Sequence, residues 1–226
     1  LEKFVFDKIK PHNWLQLHKL SELVNLRELS INQIAEHDLN QFRSMLRSKR
    51  RPGHVEPDPD PTYDDLIYFI LSDMTKLTKL QLINCQLTFL NKTIFNQMKE
   101  LSVLNLTGNR IQHIPDDTFD RLANLERIDL CGNPLQQIKL NRLCFNLDKL
   151  REVLVGDAQI VDLMDEQFNF KSLEQIGCSS ISNLEMFYRS RRAFLQQNQQ
   201  NVSIITPTFE TEIENNELMF QTIDNK

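Results

Sequence analysis

Apolar residues return along this chain with a long period and with the same internal spacing in each unit. Each of the four clearest units carries apolar side chains at offsets 3, 5, 10, 13 and 18 from its first residue. Those first residues are Leu77, Leu101, Leu125 and Leu150, and weaker units begin at Leu1, Leu26 and Leu173. Because four units agree at six positions, the pattern predicts an array of stacked repeats.

The first part of each unit alternates apolar and polar residues, as in LNL at 104–106. This alternation is typical of a short β-strand with one face in the core and the other in solvent. One such unit cannot bury its own apolar face, so neighbouring units are expected to stack and pair their strands into a parallel sheet. Gly108 and Gly132 follow two of these strands and indicate a tight turn directly before Asn109 and Asn133.

The segments LSVLNLTGN (101–109) and LERIDLCGN (125–133) resemble the LxxLxLxxN motif of leucine-rich repeats. The resemblance covers residues 1–182. It implies an α/β solenoid of about seven repeats, a right-handed horseshoe with a parallel concave β-sheet and an irregular convex side. It also implies that Asn109 and Asn133 form a buried ladder between adjacent repeats, weakened where Cys85 and Ala158 replace asparagine.

Phenylalanine at offset 18 and the sequence IPDDTF (114–119) make the repeats similar to the typical subclass of animal extracellular proteins. That subclass includes Toll-like receptor ectodomains and secreted immune proteins. The resemblance therefore implies a glycoprotein of the cell surface or extracellular space, either a receptor or a secreted ligand-binding module in innate immunity. A cytoplasmic leucine-rich-repeat adaptor is the alternative.

The residues that flank the middle apolar residue of each strand are expected to face outward. The family commonly binds protein ligands on this concave surface, so the expected partner is a protein ligand or co-receptor. In the four clearest repeats these residues are Lys79, Gln81, Val103, Asn105, Arg127, Asp129, Glu152 and Leu154. The surface is of mixed charge with two apolar members, which suits a protein better than a polyanion. The alternative is a sheet face that is merely solvated.

Three Asn-x-Ser/Thr sequences are candidates for glycosylation, at Asn91, Asn105 and Asn201. About two would arise by chance from the asparagine, serine and threonine content, so their number does not establish secretion. Asn91 falls on the convex side, where a glycan is easily accommodated. Asn105 falls on the concave face, where a glycan would obstruct a ligand across the middle repeats.

Residues 44–65 interrupt the repeat pattern, and the spacing from Leu26 to Leu77 exceeds one repeat by about a repeat's length. The segment combines a basic cluster with an acidic stretch that has proline at every second position, which predicts an exposed loop insertion. Arg47, Lys49 and Arg50 also fit a proprotein-processing motif, and incidental charge on a solvated loop is the alternative.

After Leu173 the repeat pattern fades. Apolar spacing over residues 183–200 predicts an amphipathic C-terminal helix that caps the open end of the solenoid. Residues 201–226 are acidic and are expected to form a flexible tail. Because the chain opens on LEKFVF, without an initiator methionine, it is expected to be a fragment or a processed product.

Composition argues against several other functions. The net charge of −5 disfavours a nucleic-acid surface, and five glycines are too few for a phosphate cradle. The segment holds no apolar run of the roughly 18–20 residues that a membrane span requires. The histidines are scattered and the cysteines lack CxxC spacing, so the sequence predicts no metal site, cofactor or catalytic residue. Cys85 and Cys178 fall at core positions and are expected to be buried thiols. The histidines are His12, His18, His37, His54 and His113. The oligomeric state stays open.

Overall fold

The computed structural model describes the backbone at residues 3–7, 24–48, 60–143, 146–160, 174–178, 203–207 and 220–222. Nine strands of these ranges form one sheet, in the order β1-β2-β3-β4-β5-β7-β9-β10-β11. The strands are β1 Lys3–Asp7, β2 Glu28–Asn32, β3 Lys79–Ile83, β4 Val103–Asn105, β5 Arg127–Asp129, β7 Glu152–Gly156, β9 Gln175–Cys178, β10 Ser203–Pro207 and β11 Phe220–Thr222. A separate parallel pair joins β6 (Gln137–Ile138) and β8 (Gln159–Ile160).

The sheet confirms the predicted solenoid. From β1 to β9 every strand of the sheet is parallel to its neighbour, and each begins two residues after the first residue of a predicted repeat. The register is continuous, since Leu80 pairs with Leu104, Leu104 with Ile128 and Ile128 with Val153. Parallel strands need a long return connection, and the convex part of each repeat supplies it.

Backbone hydrogen bonds repeat from coil to coil just before each strand. The Thr78 carbonyl accepts from the amides of Ser102 and Val103, at 2.8 and 3.1 Å. The Ser102 carbonyl in turn accepts from Glu126 and Arg127, again at 2.8 and 3.1 Å. The identical geometry in successive repeats shows that one set of backbone contacts stacks the coils.

The core is built from the apolar positions that define the repeat. Leu101, Leu104 and Leu106 are fully buried, and the equivalent residues of neighbouring repeats are 0–2% exposed. On the convex side Phe95 and Phe119 pack edge to face with ring centres 5.5 Å apart. Burial on this scale is the principal stabilising contribution, at roughly 1.5–3 kcal/mol for each large side chain.

Two helices flank the segment where the repeat pattern lapses, and they correct the predicted loop of 44–65 at its two ends, 44–48 and 63–65. Helix α1 spans Glu36–Ser48 and helix α2 spans Tyr63–Leu71, so residues 49–59 alone lie outside the description. Phe42 of α1 and Phe69 of α2 lie 5.5 Å apart. The apolar residues of the two helices belong to the main core, which explains why helix replaces loop here.

Helix α2 is fixed at both its start and its outer face. Thr62 and Asp65 form a reciprocal capping box, with the Thr62 amide donating to the Asp65 carboxylate at 2.7 Å. The Asp64 carboxylate accepts from the Thr88 amide at 2.9 Å, and the Tyr68 hydroxyl accepts from the Asn91 amide at 2.8 Å. These bonds tie α2 to the following repeat.

Two single-turn helices, α3 (Lys92–Phe95) and α4 (Leu140–Leu143), lie on the convex side.

The described residues of the C-terminal part form strands, where the sequence predicts a flexible tail. Strand β10 pairs in parallel with β9, and β11 returns antiparallel to β10. Both strands lie within residues 201–226, for which composition predicts a flexible tail. The antiparallel β11 ends the run of parallel strands at this edge. The predicted capping helix at 183–200 lies outside the described residues.

Candidate functional site

A ladder of buried asparagine side chains holds the backbone behind the sheet. The Asn109 side-chain oxygen accepts from the amides of Cys85 and Leu87 at 3.0 and 3.2 Å. Its nitrogen donates to the carbonyls of Leu82 and Leu106 at 2.7 and 2.8 Å. One side chain therefore bonds backbone groups of two adjacent repeats, as the resemblance implies.

Asn133 repeats this arrangement one coil further on. Its oxygen accepts from the Ile111 amide at 3.1 Å, and its nitrogen donates to the carbonyls of Leu106 and Leu130, both at 2.9 Å. At the equivalent position of the preceding repeat the Cys85 thiol donates weakly to the Ile31 carbonyl at 3.5 Å. The side-chain bonds of Asn109 and Asn133, in the central repeats, are therefore stronger than the thiol contact of Cys85.

A left-handed residue follows each central strand and turns the chain away from the sheet. Asn84, Gly108 and Gly132 occupy equivalent positions with φ of 54°, 70° and 65°. A Cβ at Gly108 would lie 2.0 Å from the Asn84 side-chain oxygen, so glycine both permits the backbone conformation and leaves space for its neighbour. These turns fix where each strand stops.

The concave face is the solvent side of the sheet, and the register brings its predicted residues into two rows. Lys79, Val103, Arg127 and Glu152 pair in sequence across four strands. The second row contains Gln81, Asn105, Asp129 and Leu154. The register thus places all eight predicted residues at equivalent positions of neighbouring strands.

Charges on the concave face are partly matched across strands. Arg127 forms an ion pair with Glu152 at 3.1 Å, and Lys3 forms one with Glu28 at 3.2 Å. Burial raises the pKa of the Glu152 carboxyl above its usual range, while the Arg127 guanidinium lowers it and Asp129 raises it further. Lys79 enters no ion pair with the residues that the structure describes. Val103 therefore lies between Lys79 on one side and the Arg127–Glu152 ion pair on the other.

Two of the eight predicted residues are less accessible than the alternation suggests. Leu154 is 3% exposed because its strand partner is Gly177, and the Leu154 side chain fills the space beside that glycine. Asp129 is 9% exposed, and its carboxylate accepts from the Cys131 amide at 3.1 Å. The accessible part of the face thus narrows to the other six residues.

The candidate glycosylation sites differ in environment. The Asn91 side chain caps α3 by accepting from the Thr93 amide at 2.9 Å, on the convex side. The Asn105 side chain accepts from the Thr107 amide at 2.9 Å and is half-buried on the concave face. Asn201 lies outside the described residues.

The described cysteines are free thiols. Cys85 is fully buried, and burial raises its pKa to about 12. Cys131 is half-buried, and burial together with the neighbouring Asp129 carboxylate raises its pKa to about 12. Neither thiol is ionised near neutral pH, which makes both poor nucleophiles. Cys144 and the side chain of Cys178 lie outside the description.

The basic motif of the insertion is anchored at its first residue. Arg47 lies in the last turn of α1 and forms an ion pair with Asp60 at 2.7 Å. Arg43, one turn earlier, donates to the Pro61 carbonyl at 2.9 Å. Both contacts join the end of α1 to the start of α2. Lys49 and Arg50 lie outside the described residues.

A cleft on the convex side was not foreseen from the sequence. It has a volume of about 240 Å³ and lies between the repeats that begin at Leu101 and Leu125. Residues 113–116 line one wall, and Gln137, Ile138, Lys139, Arg142 and Leu143 line the other. One sequence feature could have indicated the cleft. His113 and Gln137 stand at the same offset of adjacent repeats, so stacking of the repeats places them side by side.

The described ranges contain neither a metal-binding cluster nor a membrane-spanning helix. No group of three or more histidine, cysteine, aspartate or glutamate residues there could hold a metal ion. Across the same ranges no helix has the length and apolarity that crossing a bilayer demands. Of the five histidines, His37 contacts the Gln41 side chain at 2.6 Å and His113 lines the cleft, while His12, His18 and His54 lie in undescribed stretches.

Comparison with known proteins agrees with the repeat pattern. Residues 75–135 match the family model described as leucine rich repeat. No curated protein matches the chain. Among solved structures, the functional domain of InlJ from Listeria monocytogenes, which includes a cysteine ladder, is similar with a TM-score of 0.44 and 16% identity. That match covers 79% of this chain and 30% of the InlJ chain. Neither the family model nor the InlJ structure tests the likeness to the animal extracellular subclass.

Proposed function

We propose that this leucine-rich-repeat solenoid is a non-catalytic scaffold that recognises a protein partner on its concave face. The observation that carries the proposal is the row formed by Lys79, Val103 and Arg127 on three adjacent strands. Neighbouring strands lie about 4.8 Å apart, so the row presents two cations roughly 10 Å apart with an apolar side chain between them.

The chemistry of this row favours a protein surface as the partner. A valine next to Lys79 suits an apolar side chain beside a carboxylate. The Arg127–Glu152 pair, Gln81 and Asn105 offer hydrogen bonds around it. The strand backbone is already paired within the sheet. Recognition therefore depends on side chains, which can vary without disturbing the core.

Site-specific photo-cross-linking in cells of the source organism tests the proposal. A cross-linking amino acid at position 103 is expected to capture a protein, whereas the same group at Ala123, exposed in the turn before β5, is not. Val103→Glu should reduce capture from an adjacent cross-linker at position 81 at least tenfold, because it places a carboxylate against the partner's acidic groups. The matched control is Ala123→Glu. Capture from position 123 with none from position 103 would refute the concave site.

We further propose that the protein acts outside the cell in innate immunity, as a receptor module or a secreted ligand-binding protein. Its partner is then a protein ligand or a co-receptor. The support is the likeness of IPDDTF to extracellular repeats and a sequon at Asn91 on the convex side. The competing proposal is a cytoplasmic adaptor, in which the sequons carry no glycan.

Glycosidase treatment of protein from its native source separates these two locations. We expect N-glycosidase to increase gel mobility by about one glycan, and Asn91→Gln to abolish that shift. Asn105→Gln is the comparison, because Asn105 is half-buried on the concave face. A protein whose mobility does not change on treatment would support the adaptor. An occupied Asn105 would instead move the partner to an edge of the sheet or to the insertion.

A further inference from the structure

The cleft between the Leu101 and Leu125 repeats combines a cationic wall with an apolar floor. Ile138 and Leu143 are 4% and 8% exposed and form the floor. Lys139 and Arg142 are exposed and belong to the second wall. This cleft lies on the convex side, so it is separate from the row around Val103 and does not depend on the function proposed for that row.

Local backbone geometry directs the two cations to the same side. The amides of Arg142 and Leu143 both donate to the Lys139 carbonyl, at 3.2 and 2.9 Å, so Lys139 lies one helical turn before Arg142. Residues three apart in a helical turn project from one face. Neither cation forms an ion pair with another described residue.

The opposite wall supplies complementary groups. Asp116 is exposed on this wall and can accept a hydrogen bond, and His113 and Pro115 border it. With two cations and one carboxylate, the lining has a net charge of +1 when His113 is neutral. An anionic group close to Lys139 and Arg142 is therefore favoured, while a run of phosphates would meet the Asp116 carboxylate.

The size of the cleft limits its occupant. At about 240 Å³ it is smaller than the roughly 300–1,000 Å³ typical of sites for drug-sized ligands. It can hold one or two side chains of a larger molecule. A carboxylate next to an aliphatic side chain fits the paired cations and the floor, and a peptide amide fits Asp116.

We propose that this cleft binds an acidic peptide segment of a protein partner. An aspartate or glutamate of the segment would contact Lys139 and Arg142, which offer charge-assisted hydrogen bonds to its carboxylate. A neighbouring leucine-sized side chain would rest on Ile138. The solenoid thus has a second recognition site, on the side opposite to the sheet.

Nuclear magnetic resonance titration of the full 226-residue chain tests this site. The probe is the peptide acetyl-Ala-Leu-Glu-Glu-Leu-Ala-amide, and its counterpart has glutamine in place of both glutamates. The glutamate peptide is expected to shift backbone signals of residues 113–116 and 137–143, with at least fivefold higher affinity than the glutamine peptide. The double variant Lys139→Gln, Arg142→Gln should lose that preference.

A matched variant separates a built site from general charge attraction. Lys99→Gln combined with Arg121→Gln removes two exposed cations outside the cleft and is expected to leave the peptide affinity unchanged. Equal losses in both double variants would overturn the proposal, as would shifts confined to other residues or equal binding of the two peptides. Inorganic phosphate that binds the cleft more tightly than the glutamate peptide would likewise overturn the peptide assignment. Unchanged thermal unfolding of both variants shows that folding is intact.

Discussion

Replacing Asn109 with alanine is expected to lower the free energy of unfolding by about 3–5 kcal/mol, since each buried polar group left without a partner costs about 1–3 kcal/mol. The substitution removes the bonds to the amides of Cys85 and Leu87 and to the Leu82 carbonyl, all of which are enclosed by the core. The Leu106 carbonyl loses one bond and keeps the one from Asn133. Alanine is too small to fill the space. Urea unfolding followed by circular dichroism measures the change.

Asn124 provides the control for this substitution. Its side chain also crosses between repeats, donating to the Lys99 carbonyl at 2.8 Å and accepting from Lys149 at 2.6 Å, but these bonds are exposed to solvent. Water replaces them, so Asn124→Ala is expected to cost less than about 1 kcal/mol. Equal destabilisation by the two substitutions would show that burial of the ladder is not what stabilises the stack.

Leu104→Ala is expected to lower the free energy of unfolding by about 2–5 kcal/mol, the range for a buried leucine that leaves a cavity. Leu104 is fully buried and lies between Leu80 and Ile128 in the register of the sheet. Its loss opens a gap in the middle of the array, where both neighbouring repeats pack against it. The same urea measurement gives the value.

The adjacent residue supplies a matched comparison within the same strand. Val103 is half-buried on the concave face, so Val103→Ala is expected to change the free energy of unfolding by less than about 1 kcal/mol. The difference between positions 103 and 104 measures the alternation on which the repeat interpretation depends. A larger cost at Val103 than at Leu104 would contradict the assigned faces of the sheet.

The strands could be predicted because their positions follow from a repeated constraint. Every coil must present apolar residues at the same offsets in order to stack, and Leu80, Leu104 and Ile128 each satisfy that constraint in the sequence itself. The side-chain ladder follows for the same reason, since Asn109 and Asn133 stand at one offset. The sequence alone was therefore sufficient for the parallel strands of the repeats, but not for β10 and β11, which lie outside the repeat pattern.

Burial and packing that depend on a neighbouring strand or segment were harder to predict from the sequence. Leu154 occupies an outward position by alternation, and its burial results from the glycine on the next strand. Helix α1 carries apolar residues with helical spacing, including Leu39, Phe42 and Met45, but the charged and proline-rich stretch that follows it is typical of a loop. The convex cleft depends on how two return segments pack, which repeat spacing does not specify.

The turns after the strands bear on how such a chain can change length during evolution. In the repeats from Leu77, Leu101 and Leu125 the left-handed residue stands at offset 7, whereas in the repeat from Leu150 it is Gly156, at offset 6, beside an irregularity in pairing with β9. A duplication or deletion of one whole central unit would therefore rejoin matching ends, because the coils on either side share one register. Loss of the whole Leu150 unit would also rejoin matching ends, because β9 begins two residues into its own unit, as the other strands do. It would at the same time remove the shorter turn and the irregular pairing.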